Sequence, residues 1–185
     1  MTTTTKLSEL TGDYVLDTAH SRIGFQARHA MVTKVRGQFD DFEGGAHLDG
    51  DDPAKSTAYL TIQAKSIETR NKQRDDHLRS NDFLDMDNHP TIEFRSTGVE
   101  QVSDTEFKVT GDLSIRGVTK PVTVDFELAG AENDPWGNFR VGFEGKTVIN
   151  RKDWGVNWNA ALEGDGVLVS EKVTLEFDLA AIKQA

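Results

Sequence analysis

The sequence predicts an all-β fold: an eight-stranded antiparallel barrel with a helical insert between strands 3 and 4. Three observations predict it. Apolar residues recur at every second position along most of the chain, the links between these runs are short, and the alternation stops in only one stretch, residues 70–84. Strict period two marks strands with one buried and one wet face. Short links make sequential strands antiparallel. Eight such strands hide their apolar face by closing into a barrel, or by packing as a two-sheet sandwich.

The strands follow in order. In residues 14–31, Ile23, Phe25, Ala27, His29 and Met31 share one face, and Arg22, Gln26 and Arg28 share the other. Residues 33–48 carry Val35 and Phe39, then shift to Phe42, Ala46 and Leu48. The lost step of parity predicts a β-bulge between Phe39 and Phe42, and a bulge bends a strand. Residues 57–65 and 91–99 read as the third and fourth strands. Phe107, Val109, Leu113 and Ile115 align in residues 106–116, and Val122, Val124, Phe126 and Leu128 in residues 119–129, with GVTKP as the link. Phe139, Val141 and Phe143 open the seventh strand, residues 139–150. Val173, Leu175, Phe177 and Leu179 mark the last, residues 172–180.

The insert contains RDDHLRSNDFLD, residues 74–85. Asp75 and Arg79 stand four apart with the acid first, a favourable helix pair. Leu78, Phe83 and Leu84 are placed to dock the helix on the barrel, and Asn81 to end it in a left-handed cap. The expectation is a short helix covering one mouth of the barrel.

Composition narrows the function. The 185 residues have one even texture, which fits a single domain spanning residues 1–185. The absence of cysteine excludes disulfides, thiolate catalysis and Cys-type zinc or iron–sulfur sites. Thirty-one acids against 21 Lys and Arg give a net charge of −10. That charge repels nucleic acid and anionic membrane surfaces over long range. No apolar run approaches the roughly 20 residues of a membrane span, so no stable membrane insertion is expected. The N-terminal MTTTTKLSELTGDY lacks a basic segment followed by an apolar one, which predicts a cytoplasmic protein.

Signatures of chemistry are sparse. The five histidines form no i, i+4 pair, and Asp75, Asp76 and His77 diverge on a helix, so no metal is expected. No G-x-S-x-G, P-loop or G-x-G-x-x-G occurs, so no cofactor and no catalytic residue are expected. His29 shares the apolar face. It is either a hydrogen-bonded structural histidine or a polar anchor for a ligand. Trp154, Val156 and Trp158 alternate onto one face, as a barrel-end plug or the wall of a pocket.

Four blocks in order resemble the YceI-like family of lipid-binding proteins. They are YVLDTAHSRIGFQARH leading to VRGQFDDFEG; RDDHLRSNDFLD with HPTIEF; GDLSIRGVTKPVTVDFEL; and GFEGKTVINRKDWGVNW. The resemblance implies a lipocalin-like barrel that holds a long-chain isoprenoid or related lipid in an elongated cavity. It also implies a homodimer, and no enzyme activity. By parity, Ile23, Phe25, Leu60, Ile62, Phe94, Leu113, Val124, Phe126, Phe143 and Trp158 are the expected apolar contacts. His29, Arg74, His77, Arg79 and Asn150 are the expected head-group contacts, since arginine and histidine suit a phosphate or carbonyl. Two alternatives stand beside this reading. One is an enzyme on a small lipid with His29 or His77 as acid–base; the other is a fully packed structural or interaction barrel.

Overall fold

The computed structural model describes residues 6–160 and 169–185. Its strands are β1 (Gly12–Leu16), β2 (Arg22–His29), β3 (Thr33–Phe39), β4 (Phe42–Leu48), β5 (Thr57–Gln63) and β6 (Ile67–Glu68). Then come the helix α1 (Lys72–Arg79) and β7 (Thr91–Gln101), β8 (Glu106–Ile115), β9 (Val118–Asn133), β10 (Phe139–Asn150) and β11 (Lys172–Lys183).

These are the eight strands of the sequence, three of them broken once. β1 with β2, β3 with β4, and β5 with β6 each continue one another. β2 pairs β3 while β1 pairs β4, so the first two long strands make one hairpin. Every later neighbour in the chain pairs antiparallel, and β11 closes the ring against β1 and β2. The barrel is therefore a closed antiparallel meander, not a sandwich. The expected parity change after Phe39 takes a different form. The strand stops at Phe39 and restarts at Phe42, while its neighbour makes a 3₁₀ turn over Ala64–Ser66. Two adjacent strands thus bend together. Bulges the pattern did not signal lie between Ser96 and Gly98 and between Gly142 and Phe143.

The breaks split the wall into two levels. At one level β11 pairs β1, and the ring is complete. At the other, β11 pairs β2, then β3 and β6 follow, and among the described residues β6 pairs with β3 alone. There α1 and residues 80–90 continue the wall. Arg116, at the β8–β9 turn, donates from Nη1 to the carbonyls of Asn81 and Phe83. The turn itself is Arg116–Gly117, both at positive φ, so GVTKP lies mostly inside β9. Pro121 is tolerated because that part of β9 has no β10 partner to need its missing N–H.

The helix differs from its expected details. It ends at Arg79 with Ser80 as C-cap, not at Asn81. Arg79 bonds Asp76 at 3.1 Å rather than Asp75. Asp75 instead points into the body, only 4% exposed, and binds Thr69. Asn71 caps the other end by accepting the Arg74 N–H. Residues 151–158 are not a strand either. Arg151–Trp154 forms a 3₁₀ turn stopped by Gly155 at φ 76°.

Candidate functional site

The barrel interior holds two apolar chambers. The first lies at the β1 level. Leu10, Tyr14, Leu16, Phe107, Phe126, Val141, Phe143 and Leu179 line it, around about 1210 Å³ of atom-free space that includes its open mouth. The second lies at the α1 level, with about 1150 Å³ counted the same way. Ile23, Phe25, Phe39, Ile62, Leu113, Val122 and Leu175 line it, with Leu78, Phe83 and Leu84 from the insert. Leu60, Phe94, Val124 and Phe177 border both, so they form a waist between the two.

The strand sequences explain why the space stays open. Three inward phenylalanines lie against inward glycines of the neighbouring strand: Phe25 on Gly37, Phe94 on Gly111, and Phe126 on Gly145. A Cβ at Gly111 or Gly145 would come within 2.5 Å of the ring. With no side chain in the way, each ring folds flat on the wall. Gly145 pairs directly with Phe126.

Nine of the ten parity-chosen apolar residues, all but Trp158, line one or both chambers. Trp158 lies outside the lining and packs edge-on to His77, ring centroids 4.6 Å apart, and against Phe83. Its parity assumed a strand, and the 3₁₀ turn and Gly155 break that register. Trp154 is buried, and its indole N–H donates to the Leu113 carbonyl at 2.8 Å.

The five polar candidates do not converge. His29 keeps its parity, but β2 has run past the end of the barrel by that point, so the side chain is exposed. Arg74 bonds the Thr69 hydroxyl and carbonyl. Arg79 bonds the carbonyls of Lys65 and Ile67. Asn150 accepts from the Lys152 N–H and caps the 3₁₀ turn. His77 has a carboxylate partner that the sequence did not reveal: its Nε2 stands 2.8 Å from Asp82. The pair is partly exposed, and the imidazole sits against Phe83 and Trp158, outside both chamber linings.

The charged group at the second chamber is one the sequence reading missed. Arg151 is 6% exposed and lines it. Its Nε donates to the Ser170 carbonyl at 2.9 Å, and its two Nη to the carbonyls of Val156 and Val169. A guanidinium has five N–H donors, so three bonds leave two without a partner among the described residues. Burial pulls its pKa below the ordinary arginine value, and Glu171 offsets part of that pull. Among the described residues no carboxylate lies within ion-pair distance of it; Glu171 is held by Lys152 at 2.8 Å. Two of its three carbonyl partners, Ser170 and Val169, lie 19 and 18 residues away, so local spacing does not single Arg151 out. Among the described residues no three acids or histidines converge on a metal-sized gap, and no helix is long and apolar enough to cross a membrane.

Comparison with known proteins agrees with this geometry. The model of the YceI-like domain matches residues 14–181. A UPF0312 protein of Pseudomonas paraeruginosa is 40% identical over 149 residues, 80% of this chain and 78% of that one. The crystal structure of Burkholderia cenocepacia BcnA superposes with a TM-score of 0.79 at 24% identity, covering 89% of this chain and 98% of that one. A polyisoprenoid binding domain from Saccharophagus degradans, implicated in plant cell wall breakdown, superposes with a TM-score of 0.69 at 16% identity, covering 92% and 98%.

Proposed function

This chain belongs to the YceI-like family, and from that premise we propose that it binds or carries a long-chain, isoprenoid-like lipid along its barrel axis. The observation that carries the reading is the pair of apolar chambers meeting at a waist. A compact ligand needs one chamber; a long thin chain uses both. β9 has 16 residues, about 50 Å along the strand, and a tilt of about 40° leaves roughly 40 Å along the barrel. Each methylene moved from water into such a lining gains about 0.8 kcal/mol. The name of the Saccharophagus degradans domain supports the same ligand class.

The head group, on this reading, ends at Arg151. Its two N–H donors and its charge, which have no partner among the described residues, suit an acidic or carbonyl head, such as a prenyl phosphate or a quinone. On this reading none of the five polar candidates meets the head group: His29 is exposed, and the half-buried Arg74, His77, Arg79 and Asn150 have polar partners of their own. The His77–Asp82 pair lies outside both chamber linings, which supports binding over acid–base chemistry.

Mass spectrometry of the organic extract of protein purified from cells tests this directly. A polyprenyl lipid in near-stoichiometric amount is expected. An empty extract, together with no measurable affinity for a polyprenol, a polyprenyl phosphate or a prenylated quinone, would overturn the proposal. Arg151→Met addresses the head group: it should weaken a polyprenyl phosphate more than the matching polyprenol.

A further inference from the structure

We propose that the tip of the β2–β3 hairpin is a docking surface for an anionic lipid bilayer. The proposal rests on the lipid-binding reading above and names the surface from which the barrel exchanges its ligand.

The chain as a whole is strongly acidic, at −10. This hairpin is the opposite. Between Thr18 and Phe39 the sequence has four cations, Arg22, Arg28, Lys34 and Arg36, and no acid. Arg22 is held by Glu176 on β11. Arg28, Lys34 and Arg36 are exposed, and among the described residues none is in an ion pair. The other charges described near this end nearly balance: Lys152 pairs with Glu171, and Lys172 faces solvent with Asp153.

At the apex two large apolar side chains stand in water. Met31 is 58% exposed and Val32 77%. The turn that presents them is unusual: Ala30 and Met31 both take positive φ, 52° and 62°, where β-branched or long L residues are rare. Glycine or asparagine would make the turn more easily. An apolar apex ringed by cations matches a bilayer surface, with phosphate groups outside and acyl chains beneath. A protein partner of ordinary surface would not require both.

The position connects the tip to the cavity. Ala27 lines the second chamber, and Met31 follows four residues later on the same hairpin. His29 bridges to Val169, which also lines that chamber and receives an Arg151 bond. A bilayer touching the apex therefore lies at the Arg151 end of the barrel. A lipid would pass between membrane and chamber there with little exposure of its chain. Long-range repulsion from the acidic body keeps the contact reversible and turns the basic hairpin towards the membrane.

Flotation of the full chain with vesicles tests the proposal. Binding is expected to equimolar phosphatidylcholine–phosphatidylglycerol and not to phosphatidylcholine alone, and it should fall as ionic strength rises. Each cation near an anionic surface is worth about fivefold in affinity, so joint replacement of Arg28, Lys34 and Arg36 by Gln should cost about a hundredfold. Met31→Ser with Val32→Ser should also release the protein, whereas Trp136→Ser, at the exposed β9–β10 tip, should change nothing. Equal binding to both vesicle types, no binding to either, or indifference to the tip variants would overturn it. So would light scattering showing that the tip variants convert a dimer to monomers, since the tip would then be a self-association surface. Polyprenol affinity measured without vesicles separates the two proposals. It should be unchanged in the tip variants, and its absence in the unmodified protein would defeat the lipid-binding reading alone.

Discussion

Asp75 and Thr69 hold each other inside the wall: the Asp75 carboxylate accepts both the backbone N–H of Thr69, at 2.9 Å, and its hydroxyl. Each residue is 4% exposed. Arg74 completes the cluster by donating to the Thr69 hydroxyl oxygen and carbonyl, each at 2.7 Å. This joint ties α1 to the segment just after β6, where strand pairing runs out.

Asp75→Ala should therefore loosen the α1 panel. It leaves the Thr69 N–H without an acceptor in a dry site, at a cost of about 2 kcal/mol. Asp75→Asn should recover part of it through the remaining amide oxygen. Urea unfolding midpoints measure both. A loss within about 0.5 kcal/mol, the scatter of ordinary surface substitutions, would show that the joint is dispensable.

The waist yields a test of chain length. Val124 is 3% exposed and borders both chambers. Val124→Phe puts a ring into the passage, with an overpacking cost of about 1–3 kcal/mol. Affinity for a long polyprenol should drop at least tenfold, while a short prenol that fits one chamber should bind nearly as before. Equal losses for both would mean that the chambers do not act in series.

Acid stability should depend on one three-residue cluster. Arg140 bridges Asp17 and Asp134, each at 2.6 Å. Its guanidinium is the main cause holding Asp17 below the usual carboxylate range. Desolvation pushes Asp134 up, but the Arg140 bond and the N–H groups of Asn138 and Trp136 outweigh it, bringing Asp134 to about 2. A carboxylate depressed in the folded state stabilises above its unfolded pKa of about 4 and loses that contribution as pH falls through its folded value. Arg140→Gln should flatten the stability profile between about pH 4 and pH 2. Parallel profiles for the two proteins would reject the linkage.

The alkaline limb has the opposite sign. Tyr14 is 2% exposed and donates to the Leu10 carbonyl at 2.8 Å. Burial pushes its phenol up to about 12. Its contribution is complete below the unfolded value of about 10 and is lost as pH rises through the folded one. Phenolate absorbance should show one of the chain's two tyrosines titrating near 12. That step should vanish in Tyr14→Phe, which should also cost about 1 kcal/mol at neutral pH.

Alternation by itself determined the class, the eight long strands and the wall residues, because side chains in a strand must point to opposite faces. The inward phenylalanines and glycines are there in the sequence, but which glycine lies under which ring was set only by the cross-strand register. Parity said nothing about where a strand leaves the barrel, and so it left His29 inside when β2 had already passed the rim. It also carried Trp158 onto a face that the turn at Gly155 abolishes. Only the tertiary structure decided which polar groups meet. Asp75 binds Thr69 and not Arg79, and Arg151 gathers carbonyls from Val156, Val169 and Ser170, because hydrogen-bond partners are set by how distant segments pack, and local spacing records none of that.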